Sequence, residues 1–482
     1  MDVAPLVRAL DLLVPEILEH TDTPGVSIAI GVGDEVVWAR GYGLADLATG
    51  APMTPETVNP IGSDAKTYTA VAAMQLVERG RLDLDGPIGP HLGDLRVVNP
   101  HGARPITLRD LLTHRSGLGT TFGFADRVPP APLGEHLRQV FRRGRSDLYG
   151  GDLVPLWSTP VGAQYQYSNT GIALVGYLVE RANPAGVTFD EWVRRSVFTP
   201  LDLRSTWFPA GVVPPAAATR RSTGYATVGG FQFVLPPVYL GDYPAGTALT
   251  TASDHCRFVL AVLGGGALAS GRILSPETAR LMLTPQAGTG PDPAATVGLV
   301  WNVFDGGLDA GYVGHGGEYF WGWSNFTRGW PGSRAAVVVS SNQWHLAEPG
   351  TSHRPSHFAG RLVGGIVTAW VNGADPMPAK SRAATQSWLA GMLVADRLTT
   401  RLGSRHPLSA AEIDALVAGA VVRPGQPWDP EAFRSALRDY PWDSLSEAMA
   451  WSREQVPAHL QALVTSELGV PWLGRLVAGL EL

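Results

Sequence analysis

Strand-like apolar runs stand early and late in the chain, and helix-period patterns fill the stretch between them. The early group is Val26-Ser27-Ile28-Ala29-Ile30-Gly31-Val32, a Gly-Asp-Glu turn at 33–35, and Val36-Val37-Trp38-Ala39. It predicts a hairpin of two short apolar strands. The late group comprises 311–314, 319–326 and 334–340, the last built on Ala335-Ala336-Val337-Val338-Val339. Between the groups, apolar spacing predicts helices over 67–79, 107–113, 169–181, 186–196 and 252–263, with a weaker pattern over 275–282. This order predicts a mixed α/β (α+β) fold with one sheet assembled from both ends of the sequence. Helices would cover its faces or form a subdomain against it. Such closure carries early and late residues into one cleft.

From about residue 379 no strand pattern remains. Helical patterns at 384–400, 409–419, 430–438, 443–451 and 456–467, with a capping box at Ser409-Ala410-Ala411-Glu412, predict a helical appendage over 379–482. Trp388, Trp428, Trp442, Trp451 and Trp472 are its expected packing anchors. The division expected is 1–378 and 379–482.

Composition narrows the class. With 482 residues and 45% hydrophobic content the chain is globular, while 57 glycines and 39 prolines imply many loops. A net charge of -6 without a basic block argues against a nucleic-acid partner. No apolar run reaches the length of a membrane span and no secretory signal is visible, so a cytoplasmic protein is expected. The single cysteine, Cys256, sits in an apolar-periodic helix and reads as a small core residue.

Four segments carry candidate chemistry. Ser63-Asp64-Ala65-Lys66 precedes the helical run 67–78, which puts Ser63 at a helix N-terminus and Lys66 one turn along on the same face. A lysine shielded from water loses basicity until it can take a serine proton, so the pair is a candidate nucleophile and base. Tyr167-Ser168-Asn169 lies just before a helical run and places a phenol and an amide on a loop that a helix holds still. His315-Gly316-Gly317 follows the short strand 311–314, and the two glycines allow an extended backbone to approach a substrate. Residues 106–118 read as a helix closed by a turn near Gly117.

Taken in order, Ser63-Asp-Ala-Lys66, Tyr167-Ser-Asn169 and His315-Gly-Gly317 resemble the active-site motifs of the serine β-lactamase and penicillin-binding-protein-like family. The branch is the class C-like one that includes esterases, D-aminopeptidases and acyltransferases. The resemblance runs from about residue 20 to 370 and extends to 106–118, Pro244-Ala245-Gly246 and Thr250-Thr251-Ala252-Ser253-Asp254. It implies a β-lactamase/transpeptidase-like fold with an antiparallel sheet flanked by helices, and no metal or other cofactor. It also implies an acyl-enzyme on Ser63, with Lys66 as base and Tyr167 as proton shuttle. Asn169 would orient Lys66 and the substrate, and His315 would assist Tyr167. The backbone N–H groups of Ser63 and Glu318 would form the oxyanion hole. His315 stands where the antibiotic-resistance enzymes carry a lysine that anchors a substrate carboxylate, which argues against β-lactam hydrolysis as the physiological role.

Aromatic residues crowd the segment after His315, namely Tyr319, Phe320, Trp321, Trp323, Phe326 and Trp330, and Phe231, Phe233 and Tyr239 lie in an earlier Gly/Pro-bounded loop. Strand alternation would send half of the first group to the cleft. Gly316, Gly317, Tyr319, Trp321, Trp323 and Phe233 are therefore candidate substrate contacts, with ordinary packing as the alternative. His114 and His345 read as structural or rim residues.

The leading expectation is hydrolysis of a carboxylic ester or small amide. The alternatives are transfer of the acyl group to an amine or alcohol, including peptide cyclisation from a carrier protein docked on the helical tail, a D-aminopeptidase, and a catalytically silent scaffold.

Overall fold

The computed structural model describes residues 2–21, 23–120, 130–146, 154–211, 217, 219–228, 231–235, 240–286, 295–304, 311–319, 322–345, 358–374, 376 and 431. Apart from Glu431, the predicted appendage 379–482 and its tryptophans lie outside the described residues.

The sheet is built from both ends of the described chain. Its strands are β1 (Gly25–Val32), β2 (Glu35–Asp46), β3 (Ala51–Pro52), β4 (Ala295–Val297), β5 (Asn302–Phe304), β6 (Tyr312–Tyr319), β7 (Trp323–Trp330) and β8 (Ala335–Ser341). They run in the order β4-β5-β6-β7-β8-β1-β2-β3, and every pairing is antiparallel. The first strand joins the last in register, Ile28 opposite Val339 and Ala29 opposite Val338. That pairing closes the cleft that the strand distribution predicts.

Helices cover both faces. Helix α1 (Ala4–His20) and the last described helix, α9 (Phe358–Val371), pack on one face, where Val26, Ile28, Ile30, Val337 and Val339 point. The opposite face carries α7 (Ala252–Leu263), against which Ala29, Ala336 and Val338 pack. Two-sided burial explains why β8 is a continuous apolar run rather than an alternating one. Cys256 lies in that second layer, fully buried, and burial pushes its thiol up to about 12. Beyond the sheet stand α2 (Ala65–Glu78), α3 (Leu108–Leu112), α4 (Leu133–Arg143), α5 (Asn169–Ala182) and α6 (Phe189–Val193), with α8 (Pro276–Leu283) following α7. Among the described residues no helix is long and apolar enough to cross a membrane.

Several elements differ from the sequence reading. Strand β6 does not stop at residue 314 but runs to Tyr319, so His315-Gly-Gly317 lies inside a strand. Pairing with β7, Gly316 opposite Phe326 and Gly317 opposite Asn325, carries the backbone through the two glycines. Phe231–Leu235 is a strand paired with Gly224–Val228, not a loop. Helices α1 and α9 were not anticipated.

The α1–α9 layer is held by apolar contact, with Leu362 1% exposed. Leu362→Ala is therefore expected to lower the unfolding free energy by about 2–5 kcal/mol. Urea titration reads this, and a loss well under 1 kcal/mol would mean that α9 packs loosely.

Candidate active site

Ser63 lies in a turn that only glycine neighbours allow. A 3-10 turn over Gly62–Asp64 leads into α2. Gly62 has φ +53°, and a Cβ there would stand 2.5 Å from the Glu318 carbonyl oxygen. A Cβ on Gly317 would fall 1.7 Å from the Ile61 carbonyl oxygen. The Ser63 turn and β6 thus touch backbone to backbone, an approach that a side chain at either glycine blocks. Within β6, strand β5 pairs with Tyr312–Gly314 alone and leaves the 315–319 half uncovered by β5, and this half meets the Ser63 turn.

The Lys66 side chain is completely buried, with Nζ 2.9 Å from Ser63 Oγ and 2.5 Å from the Ala245 carbonyl oxygen. One turn further along α2, Thr69 Oγ1 donates to the Pro244 carbonyl oxygen at 2.6 Å. The Pro244-Ala245-Gly246 text therefore supplies consecutive carbonyls that hold α2 and its lysine in place. Burial drives the Lys66 amine from its ordinary 10.5 down to about 7, while the carboxylates of Asp242 and Asp64 oppose the fall. At neutral pH the amine is close to half deprotonated, the state a base requires.

Tyr167 and Asn169 are placed by the start of α5. Ser168 caps that helix, its Oγ accepting from Gly171 N at 2.9 Å and donating to the Gly119 carbonyl at 2.8 Å. Thr120 Oγ1 donates to the Tyr167 carbonyl at 2.8 Å. Lys66 Nζ stands over the Tyr167 ring, 4.8 Å from its centroid, and the His315 ring lies 6.5 Å away centroid to centroid. Tyr167 remains 36% exposed. Asn169 is buried, and its Oδ1 has no hydrogen-bond partner among the described residues.

His114, expected from the sequence as a structural or rim residue, is structural. It is buried, its Nδ1 accepts from Ser168 N at 3.2 Å, and its ring lies 4.5 Å from that of Tyr167. Burial, with Lys66 and His315 adding to it, holds this imidazole well below its ordinary range and hence neutral. The residues that sequence reasoning missed are Asp64, Asp242 and His255. Asp64 lies inside the Ser63–Lys66 motif, but nothing in its spacing tells that it points inward.

The aromatic segment divides as strand alternation requires. Phe326 and Trp330 pack with the α1–α9 layer. Tyr319 and Trp323, cross-strand partners 6.0 Å apart, share the other face with His315. Both are buried, and Trp323 Nε1 donates to Ser222 Oγ at 2.8 Å. Gly316 is half-buried beside them. Trp321 lies outside the described residues, and Phe233 is described only as a member of its strand, as His345 is of Gln343–His345.

A serine and a buried lysine one helical turn apart, set against an antiparallel sheet edge, define a serine-hydrolase class of site. The sequence matches the family described as Beta-lactamase over residues 10–360, and the chain belongs to that family of serine hydrolases. It is 30% identical over 334 residues to Penicillin-binding protein 4 of Amycolatopsis lactamdurans, covering 67% of this chain and 82% of that protein. Esterase EstB of Burkholderia gladioli is 28% identical over 361 residues, covering 67% and 86%. Among solved structures, the D-amino acid amidase from Ochrobactrum anthropi SV3 superposes with a TM-score of 0.59 at 23% identity, covering 76% of this chain and 99% of that one. The likeness shows that the two share a fold.

The depressed Lys66 has a consequence for stability. Unfolding restores its ordinary affinity for protons, so between pH 7 and about 10 the unfolded chain binds the extra proton and stability rises with pH. Lys66→Met removes this dependence. The stability of the variant relative to wild type is expected to fall by on the order of 2–3 kcal/mol between pH 6 and pH 9 in urea titrations. A difference that stays constant would contradict a buried amine.

Proposed function

We propose that the chain hydrolyses a carboxylic ester or small amide through an acyl-enzyme on Ser63. The observation that carries this reading is the 2.9 Å contact between Ser63 Oγ and a buried Lys66 Nζ whose amine titrates near neutrality. Ser63 Oγ attacks the carbonyl carbon as its proton passes to Lys66 Nζ. The negative charge on the carbonyl oxygen is met by the backbone N–H groups of Ser63 and Glu318, the two backbones that Gly62 and Gly317 bring together. One such donor contributes roughly 3 kcal/mol to a transition state.

Collapse of the tetrahedral intermediate breaks the bond to the leaving alkoxide or amine, which takes its proton from the Tyr167 hydroxyl. The Lys66 ammonium beside the ring favours the phenolate left there and keeps its own proton for the second step. Water then attacks the ester on Ser63 with Tyr167 accepting its proton, and Oγ leaves with the proton from Lys66. Asn169 Oδ1 supplies an acceptor for a substrate N–H group. The esterase relative, matched over 86% of its length, favours an ester as the first substrate to try.

Intact-protein mass with a chromogenic short-chain ester tests the reading. Wild type is expected to gain one acyl group that drains to the free acid, and Ser63→Ala is expected to gain none. Because the neutral form of Lys66 is the active one, kcat/KM should rise with pH and level off above about 7. Turnover that survives in Ser63→Ala would remove the nucleophile from Ser63. An adduct that persists in water but discharges to an added D-amino acid amide would make the chain an acyltransferase.

A further inference from the structure

Behind the nucleophile lies a fully buried carboxylate that the reaction above does not use. Asp64 is 0% exposed, and its Oδ2 accepts from Asn325 Nδ2 and, at 3.0 Å, from Thr327 Oγ1. Two imidazoles flank it. His315 Nδ1 lies 3.8 Å from Oδ1, and His255 Nε2 lies 4.0 Å from Oδ2. Donors from Asn325 and Thr327 favour the ionised carboxylate. A buried carboxylate without a nearby positive charge is costly, and Lys66 supplies one only while protonated, so one of the two rings has reason to become cationic.

The surroundings decide which. His255 is sealed between Tyr68, whose hydroxyl lies 2.8 Å from its Nδ1, and Phe258. Burial holds His255 down to about 3, so it stays neutral and offers Asp64 only an N–H dipole. His315 instead borders the cleft, with its ring 6.5 Å from the Tyr167 ring. Its Nδ1 lies 2.7 Å from the Gly316 carbonyl oxygen, so that nitrogen carries hydrogen. With Nδ1–H facing Gly316 and Asp64, Nε2 is the nitrogen left to gain or lose a proton at the cleft.

We propose that Asp64 is a positioning residue that acts through His315, holding the imidazole in its Nδ1–H form and stabilising its cation beside Tyr167. Among the described residues, the titratable groups around His315 are Asp64 on the Ser63 turn, Lys66 on α2, His114 after α3, Tyr167 before α5 and His255 on α7. His114 and His255 are neutral, and Lys66 disfavours a second cation. Asp64 is thus the contact that favours the charge. Asp64 also raises Lys66, after Asp242, so one carboxylate bears on both protonation equilibria.

The consequence for rate rests on the hydrolase reading, but the pairing itself is read without turnover. Ring-nitrogen NMR of 15N-histidine-labelled full-length chain, with His315→Gln to assign the signal, follows the His315 protonation midpoint. In Asp64→Asn that midpoint should move to lower pH by about one to three units, as expected for removing a charge within 4–6 Å. The rising limb of the kcat/KM profile should move in the same direction, because Asp64 also raises Lys66. An unchanged midpoint in folded Asp64→Asn overturns the proposal. If that variant does not fold, wild type still decides at pH 8. The Nδ1–H tautomer is the expected result, and an Nε2–H tautomer, which turns a lone pair toward Asp64, overturns it. A His315 midpoint that shifts as expected in a chain that never acylates supports the pairing and removes only the hydrolase reading.

Discussion

An ammonium group taken wholly out of water costs several kcal/mol unless it gives up its proton or finds a full set of partners. Lys66 does some of both. Its Nζ has two oxygens in reach, Ser63 Oγ and the Ala245 carbonyl, and burial brings its proton affinity down to neutrality. Much of the surrounding architecture serves to keep that amine dry and aimed. The 240–250 segment closes over α2, pairing Leu249–Thr250 with Asn59–Pro60 and turning its Pro244 and Ala245 carbonyls inward. Strand β6 seals the other side through two glycine contacts. The cost of a buried, poorly satisfied lysine is offset by the two apolar layers on the sheet.

The sequence made the local part of this arrangement legible. Ser63 and Lys66 are three residues apart on a helix, so their meeting follows from helical geometry alone. Tyr167 and Asn169 flank a serine that caps a helix, a local signal too. Pro244-Ala245-Gly246 could be singled out as text but given no role, because the contact of Ala245 with Lys66 spans 179 positions. Asp64, Asp242 and His255 escaped for the same reason: each acts through a side chain that only the closed sheet buries. Gly316 and Gly317 suggested the end of a strand. Their register with β7 overrides that local preference. Helix α1 carries Pro15 in its interior, and packing against α9 sustains it.

Membership of the Beta-lactamase family fixes the class of chemistry without fixing the substrate. Several groups that shape this site lie on β6 and behind it. A histidine stands at position 315, a carboxylate lies under it, and Tyr319 and Trp323 form a buried aromatic pair on the same face. The turn over Gly62–Asp64 contributes Ser63 to the cleft and Asp64 to the core beneath it. Neighbouring residues of one turn thus serve opposite sides of the same site.

The account stands on the protonation state of one amine. Titrating the Lys66 side chain directly, by carbon NMR of the ε-methylene in 13C-lysine-labelled protein with Lys66→Met to assign the signal, measures it without any substrate. A midpoint close to pH 7 is the predicted result. A midpoint at 10 or above would mean that Lys66 is a solvated or fully paired ammonium, and Ser63 would have no base.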